Sequence, residues 1–347
     1  YELNEVPRKL YDFYIKKNPS SSFAFFKEKG LVFDTFTRDE GELHPWSTWP
    51  TVHRGVYNNQ HQIKFINQDL TSSSKFKPIW QILSENKIYT GVFGSLQSYP
   101  PLENPYIKFY LPDTFSPDSK ASSEILRLFQ SFNLLMASDN KAKSRNINKK
   151  QLKVFYKLFL SRTLSSNTIF SIINQLIREK INAKNKARRS LIQDIMAFDL
   201  FYKTLNKTRP IFCTYFTNHV AGMMHRYWKD LFPYEFGLTK HKYDPFHAKS
   251  IIRAMDIANN DLAKLIKFSK SNNYDLWVIS SMGQQAINRG EYFPELYLND
   301  FQKFLLFLKR NNNNFKLLPA MQPDYCIECS TSEDLNFLRN YLKCIKD

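Results

Sequence analysis

The sequence predicts an α/β fold, a three-layer α/β/α sandwich around a mainly parallel sheet, with a basic helical insertion. Short apolar runs rich in β-branched and aromatic residues predict three buried strands, at Ile88–Gly94, Ile211–Phe216 and Leu276–Ser280. A stretch with helical periodicity precedes each strand, at 77–85, 192–205 and 248–271. Helices that alternate with buried strands are typical of a parallel sheet covered on both faces.

The other elements follow from local patterns. Residues 122–205 read as helix after helix, with no glycine or proline from Ser119 to Arg209. Amphipathic helices are expected at 296–310 and 333–345. The sequence therefore predicts a first part of the α/β core at 1–118, the insertion at 119–206, and a second part of the core with the carboxyl-terminal helices at 207–347.

Composition excludes disordered and fibrous classes, because 43% of the 347 residues are hydrophobic and 16% are aromatic. The formal charge is +17, yet residues 141–190 hold fourteen basic residues and one acid, a net +13. One basic helical element can be a solvated surface, or it can contact an anionic membrane. Nucleic acid is not expected as a partner, since no nucleic-acid-binding module accompanies the charge.

Four cysteines in a chain of this length do not form a disulfide framework, which favours a reducing compartment. Cys326 and Cys329 form an isolated CxxC pair and are interpreted as ordinary thiols. No run reaches the roughly 18 apolar residues of a membrane span. We expect a cytoplasmic protein, either free or in peripheral contact with the inner membrane face.

Three colinear stretches carry a family resemblance. They are Ser22–Thr37 with Pro45–Ile63, then Pro78–Gly94, and then Asp256–Gly283 with its Asn273–Gly283 strand. Together they cover about half of the chain, and they resemble the alkaline phosphatase superfamily, particularly its nucleotide pyrophosphatase/phosphodiesterase and sulfatase branches. The resemblance implies an alkaline phosphatase-like sandwich that carries two divalent metals and a Thr, Ser or Cys nucleophile at a helix start.

The sequence departs from the superfamily at most ligand positions. Its "Asp-Gly" after the first strand becomes Asn4-Glu5, with Glu2 as a further carboxylate, and its Asp-His pair becomes Ser281-Met282. Hydroxyl and thioether groups are poor ligands for Zn²⁺ or Mg²⁺, so the second metal site is expected to be absent. We therefore expect the protein to bind either one divalent metal, which is zinc, manganese or magnesium, or no metal.

Two further motifs supply candidate residues. Pro45 occupies the nucleophile position, so Ser47 or Thr48, two and three residues on, is the candidate nucleophile unless both only cap the helix. His44 or His53 would serve as the base. In place of the superfamily's "Asp-x-x-Gly-His", the remaining candidate metal ligands are Asn218 or His219 and then His225, and His225 is also a candidate catalytic residue.

The remaining candidates are polar residues near the same strand ends. Arg54 and Arg226 can grip a phosphate or carboxylate, and Gln284 can donate an amide hydrogen to a sugar or nucleotide. Asn218 and Ser281 complete the expected substrate-binding set, while His61 is interpreted as structural.

The resemblance implies an enzyme that cleaves or transfers a phosphate-linked or sulfate-linked group, in surface polysaccharide or nucleotide-sugar metabolism. The expected substrate is a phosphorylated or nucleotide-linked small molecule or glycan. Two alternatives keep the fold: a metal-independent transferase that binds sugar nucleotides, and a binding protein without catalysis.

Overall fold

A computed structural model describes residues 1–66, 68, 70, 73–138, 149–160, 163–237, 243–287, 300–308, 314–318 and 326–344. Its central sheet consists of four strands, β1 (Glu2–Leu3), β2 (Thr90–Phe93), β3 (Ile107–Leu111) and β4 (Phe212–Thr217). The strands lie in the order β1-β4-β2-β3, and every pair is parallel. The predicted α/β class and the mainly parallel sheet are confirmed.

Two of the three apolar runs form the predicted strands β2 and β4. The third, Leu276–Ser280, makes only one parallel bridge, from Ile279 to Glu2. The Leu3 amide donates to the Ile279 carbonyl at 2.9 Å, and the Ile279 amide donates to the Tyr1 carbonyl at 2.9 Å. Because β1 is only two residues long, it cannot form a longer ladder of hydrogen bonds with the Leu276–Ser280 run.

Helices surround the sheet. Those before the insertion are α1 (Arg8–Lys17), α2 (Ser22–Lys29), α3 (Pro45–Arg54), α4 (Asn58–His61) and α5 (Ile79–Glu85). Residues 119–206 contain α6 (Glu124–Ser138), α7 (Lys149–Leu160), α8 (Ser166–Ile181), a 3₁₀ turn at Ala183–Arg188 and most of α9 (Ser190–Thr208). Next come α10 (His219–Leu231), a 3₁₀ turn at Pro233–Phe236 and α11 (Pro245–Asn272).

The carboxyl-terminal part holds α12 (Phe301–Phe307), an antiparallel pair of β5 (Phe315–Leu318) and β6 (Cys326–Cys329), and α13 (Ser332–Cys344). The sequence did not predict this strand pair, which carries the CxxC cysteines. Most of the predicted helix 296–310 that is described forms α12, and residues 296–299 and 309–310 lie outside the described residues.

The predicted insertion packs into the same core as the sheet. The ring of Phe201 on α9 stacks on Tyr215 of β4 with centroids 4.5 Å apart, and it meets Phe93 of β2 at 5.5 Å. Phe129 on α6 lies 6.4 Å from Phe93. Burying an aromatic ring of this size stabilises a fold by about 1.5–3 kcal/mol, so these two helices are tied to the strands. Whether 119–206 is a unit of its own stays a prediction.

The described part of the basic segment lies on α7, α8 and the turn after α8, whereas residues 139–148 and 161–162 lie outside the described residues. No helix in the described ranges is both long enough and apolar enough to cross a membrane.

Candidate functional site

A small pocket lies at the carboxyl edge of the parallel sheet, with a cavity volume of about 20 Å³. Residues that follow or end all four strands line it, together with the first two residues of α3: Asn4, Pro45, Trp46, Leu96, Thr114, Phe115, Phe216 and Asn218. Ligands of open α/β sheets bind at this edge. The predicted substrate-binding residue Asn218 and the predicted ligand Asn4 therefore share one pocket.

A pair of amides forms the polar wall of the pocket. The side-chain nitrogen of Asn4 donates to the side-chain oxygen of Asn218 at 2.7 Å and to Glu5 Oε1 at 3.1 Å. The Asn4 oxygen accepts a hydrogen bond from the indole of Trp49 on α3 at 2.8 Å. Asn4 and Trp49 are both buried, so this network fixes the end of β1 to the end of β4 and to α3.

Glu5 and His225 form a carboxylate–imidazole pair beside these amides. Nε2 of His225 lies 3.0 Å from Oε2 of Glu5, and the amide of Gln284 donates to the same oxygen. Burial acts to raise the pKa of Glu5, but the hydrogen bonds and charge of His225, with those of Gln284 and Asn4, outweigh it and lower the pKa. Glu5 is therefore ionised, while about half of the His225 side chain is exposed.

The backbone at Glu5 is left-handed, with φ of 56°. A residue with a side chain pays about 1–2 kcal/mol for this conformation, which favours glycine. The carboxylate that pairs with His225 is therefore held in place at a cost in backbone energy, as residues at functional sites commonly are.

The two candidate nucleophiles lie in the first turn of α3. The Thr48 hydroxyl is 2.8 Å from the Ser281 hydroxyl and 3.2 Å from the carbonyl of His44, and the Ser47 hydroxyl accepts from Asn58 at 3.4 Å. Within the described part of the chain, neither Ser47 nor Thr48 has an imidazole at hydrogen-bond distance. This arrangement brings Thr48 and Ser281 together as predicted, without the base that nucleophilic catalysis requires.

His53 pairs with Glu2 instead. Its Nε2 lies 2.8 Å from Glu2 Oε1, and the Ser95 hydroxyl donates to the other carboxylate oxygen at 2.8 Å. All three side chains are buried. Burial acts to raise the pKa of Glu2, but the charge and hydrogen bond of His53, together with Ser95, lower it. Glu2 and His53, predicted as a metal ligand and a base, thus satisfy each other in the interior.

His219, a predicted metal ligand, is also satisfied within the fold. Its Nδ1 lies 2.5 Å from the hydroxyl of Thr217 and 3.1 Å from Asp194 Oδ1. Its Nε2 donates to the carbonyl of Ala254 on α11 at 3.0 Å. The imidazole faces the neighbouring helix, so both nitrogens are occupied away from the pocket.

The two arginines differ. Arg54 donates to the backbone carbonyl of Phe76, and burial lowers its pKa, so it fixes the 73–76 loop. Arg226 lies exposed on α10 next to His225. His61 is buried with Nδ1 accepting from the Ile63 amide at 2.9 Å, and burial lowers its pKa to about 4. These contacts give Arg54 and His61 structural partners.

The five predicted metal ligands fall into three separate groups. Glu2 is paired with His53, His219 is paired with Asp194, and Asn4, Glu5 and His225 meet at the pocket edge. In the described residues, no cluster of three or more His, Cys, Asp or Glu side chains is arranged to hold a metal ion. Both oxygens of Glu5 already accept hydrogen bonds. These residues do not fit a divalent metal, and metal binding stays a prediction.

Several site residues were not predicted. Trp49 connects α3 to Asn4, Ser95 completes the Glu2 pair, and Trp46, Phe115 and Phe216 supply the apolar wall. Ser95 follows Gly94 at the end of a predicted strand, so the strand-end rule could have identified it. Compared with protein-family models, curated proteins and solved structures, the chain matches none.

Proposed function

We propose that this chain is a divergent enzyme with the alkaline phosphatase-like three-layer fold. It binds a phosphorylated or nucleotide-linked small molecule or glycan in the strand-end pocket and cleaves or transfers its phosphate-linked group. A sulfate-linked group is the chemical alternative. The chemistry is general acid–base catalysis that needs no metal ion, and surface polysaccharide or nucleotide-sugar metabolism is the proposed setting.

One observation carries the proposal: residues from distant parts of the chain meet beside one pocket. Asn4 bonds Asn218 across 214 residues, and Glu5 meets Gln284 across 279 residues. Thr48 meets Ser281 across 233 residues. These contacts bring polar side chains from separate parts of the chain to one strand-end site, which is the convergence that a binding or catalytic site requires.

Two backbone features support the likeness to the superfamily. The left-handed residue Glu5 stands where the superfamily has the glycine of its "Asp-Gly". Gly283 stands where it has the glycine of "Ser-Asp-His-Gly", and a Cβ atom there would lie 3.0 Å from the Cβ of Pro7. At both positions the local backbone geometry or packing favours glycine, although the neighbouring ligand residues of the superfamily are replaced.

The pocket offers groups for each part of such a substrate. The side-chain amide of Asn218 can donate to phosphate oxygens, and the positive end of the α3 dipole favours an anion. Both amide hydrogens of Asn4 are already donated to Asn218 and Glu5, so Asn4 orients Asn218 instead. The apolar side chains of Trp46 and Phe115 can pack against a nucleobase or sugar ring. His225, oriented by ionised Glu5, can donate a proton to the oxygen of the leaving group or remove one from the attacking hydroxyl.

The proposal is tested by thermal shift and turnover in the presence of EDTA. Nucleotide sugars and inorganic phosphate are the binding probes, and nitrophenyl phosphate and bis(nitrophenyl) phosphate are the reporters of cleavage. We expect stabilisation by at least one probe, loss of that stabilisation in Asn218→Ala, and loss of turnover with binding retained in His225→Gln. Lys229→Gln, exposed one turn further along α10, is the matched control. No stabilisation by any probe, or turnover that EDTA abolishes and zinc restores, would contradict the proposal.

A binding protein without catalysis is the second candidate. Ser281-Met282 replaces the superfamily's Asp-His pair, and the Thr48 hydroxyl meets Ser281 rather than an imidazole. This candidate predicts the same probe binding with no turnover in the wild-type protein, so the two assays distinguish it from an enzyme.

A further inference from the structure

The outward face of α8 is apolar. Its buried side chains, Thr168, Ile172 and Glu179, lie on one side of the helix. On the other side Phe170, Ile173, Ile177 and Ile181 are exposed by 68%, 50%, 52% and 79%. At 100° per residue these four side chains fall within an arc of about 80°, directly opposite the buried side. The face of the helix that points to solvent is therefore the apolar one.

A surface helix normally presents polar residues to solvent and keeps its apolar stripe for the core. The exposed stripe extends over eleven residue steps, or about 16 Å along the helix. Single exposed apolar residues are ordinary, but a continuous stripe marks a surface that contacts something apolar. The stripe thus needs a partner of its own.

The charge around the stripe is positive. Arg178 and Lys180 are exposed on α8 itself, and Lys184 follows in the next turn, where it bonds Asp244 at 2.6 Å. Glu179 is the one acid in residues 141–190, and it is buried against Arg189, which donates to it at 3.1 Å. No free negative charge of this segment offsets the cations beside the stripe.

The preceding helix has the same composition on its outward side. On α7, Lys153, Tyr156, Lys157 and Leu160 are all exposed. Alternation of cations with aromatic and aliphatic side chains is typical of helices that lie in a lipid headgroup region.

We propose that α8 is an interfacial membrane-binding helix that selects anionic lipid. Phe170, Ile173, Ile177 and Ile181 insert at the boundary between headgroups and acyl chains, while Arg178 and Lys180 contact lipid phosphates. A basic residue near an anionic leaflet adds about 1 kcal/mol to binding, so charge and apolar burial act together.

Charge decides between this partner and others. A second copy of the chain docked face to face would bring two segments of +13 together, and such repulsion opposes a dimer through this face. Nucleic acid would satisfy the cations and leave four apolar side chains without a partner. An anionic bilayer satisfies both features. The inference does not depend on the proposed function, because the strand-end pocket involves neither α7 nor α8.

The test is sedimentation of the full chain with vesicles of phosphatidylcholine alone or mixed with an equal amount of phosphatidylglycerol. We expect binding to the anionic vesicles and at least tenfold weaker binding to the neutral ones. Ile173→Asp/Ile177→Asp lowers the affinity for anionic vesicles at least tenfold. Leu335→Asp/Leu342→Asp, which introduces the same charges at exposed positions of α13, leaves it within twofold. Thermal unfolding of both variants shows that the folds are intact.

Three results would overturn the inference. These are equal binding to both vesicle types, unchanged binding of the α8 variant, and an absence of vesicle binding together with a dimer that Ile173→Asp/Ile177→Asp dissociates in sedimentation velocity. The last result would assign the stripe to a second copy of the chain.

Discussion

Removing His53 should destabilise the fold more than removing its partner Glu2. The two side chains meet at 2.8 Å and are exposed by only 4% and 2%. In His53→Ala, the Glu2 carboxylate stays buried with Ser95 as its remaining hydrogen-bond donor. In Glu2→Ala, the imidazole stays buried as a neutral polar group. The two substitutions remove similar volumes, so the costs of the cavities are comparable.

The magnitudes follow from the charge that is left behind. Breaking a buried ion pair from one side leaves an uncompensated charge and costs about 3–5 kcal/mol. A buried neutral group without a partner costs about 1–3 kcal/mol. We therefore expect the free energy of unfolding at pH 7 to fall by about 2 kcal/mol more in His53→Ala than in Glu2→Ala.

The pH dependence gives a second test. In the folded protein the pKa of Glu2 lies below its ordinary value of 4.5. The stability that the pair contributes is therefore complete above pH 4.5, and it is lost as the pH falls through the folded pKa. In His53→Ala burial dominates and raises the pKa of Glu2, so the deficit of this variant grows from pH 4.5 to pH 7. Urea unfolding followed by tryptophan fluorescence measures it. Equal losses in the two variants, independent of pH, would refute the reasoning.

Four further outcomes can be checked directly. Gly283→Ala should lower stability by about 1–3 kcal/mol in thermal unfolding, because the added Cβ atom meets Pro7. Gly222→Ala, inside α10 with open space around it, should raise stability by about 0.5–1 kcal/mol in the same assay. Because the folded pKa of His61 is about 4 and its ordinary value is 6.5, stability should rise from pH 4 to 6.5 by at most about 1.36 kcal/mol per pH unit, and His61→Asn should flatten that slope in urea titrations. Burial of the thiol raises the pKa of Cys213 to about 11, so mass spectrometry should find it unlabelled by iodoacetamide at pH 8 until urea is added. Rapid labelling of the native protein would contradict the raised pKa.

The elements that could be predicted are those whose burial leaves a local pattern. Strands β2 and β4 are short apolar runs, and α11 follows a clear helical periodicity from Pro245 to Asn272. Strand β3 was missed because Lys108 interrupts its apolar run, although three of its five residues are buried. The Leu276–Ser280 run pairs little because its partner β1 is short, and the length of a partner strand cannot be seen in the run itself.

For the site, the sequence predicted where the side chains lie better than it predicted the direction in which they point. Parallel strands share a carboxyl edge, so Asn4, Asn218 and Ser281 could be expected to lie near one another. The direction of His53, His219 and Arg54 depends on Glu2, Asp194 and the Phe76 carbonyl respectively. These partners lie 22 to 51 residues away in the chain, and local pattern carries no information about them.

Three buried carboxylates near the strand ends share one arrangement, since each has an imidazole beside it. Glu2 pairs with His53 at 2.8 Å, Glu5 with His225 at 3.0 Å, and Asp194 with His219 at 3.1 Å. Asp113, after β3, differs: it accepts backbone hydrogen bonds from Ser98 and Phe115, and burial raises its pKa to about 6.

The polar groups between these pairs are neutral amides. Two Asp side chains as close as Asn4 and Asn218 would repel each other and require a cation, whereas the amides bond at 2.7 Å without one. Apart from Asp113, the strand ends therefore carry little uncompensated negative charge. A phosphate group that enters the pocket meets the amide of Asn218 and the start of α3 rather than a pair of carboxylates, which is the electrostatic condition for binding an anionic substrate without metal ions.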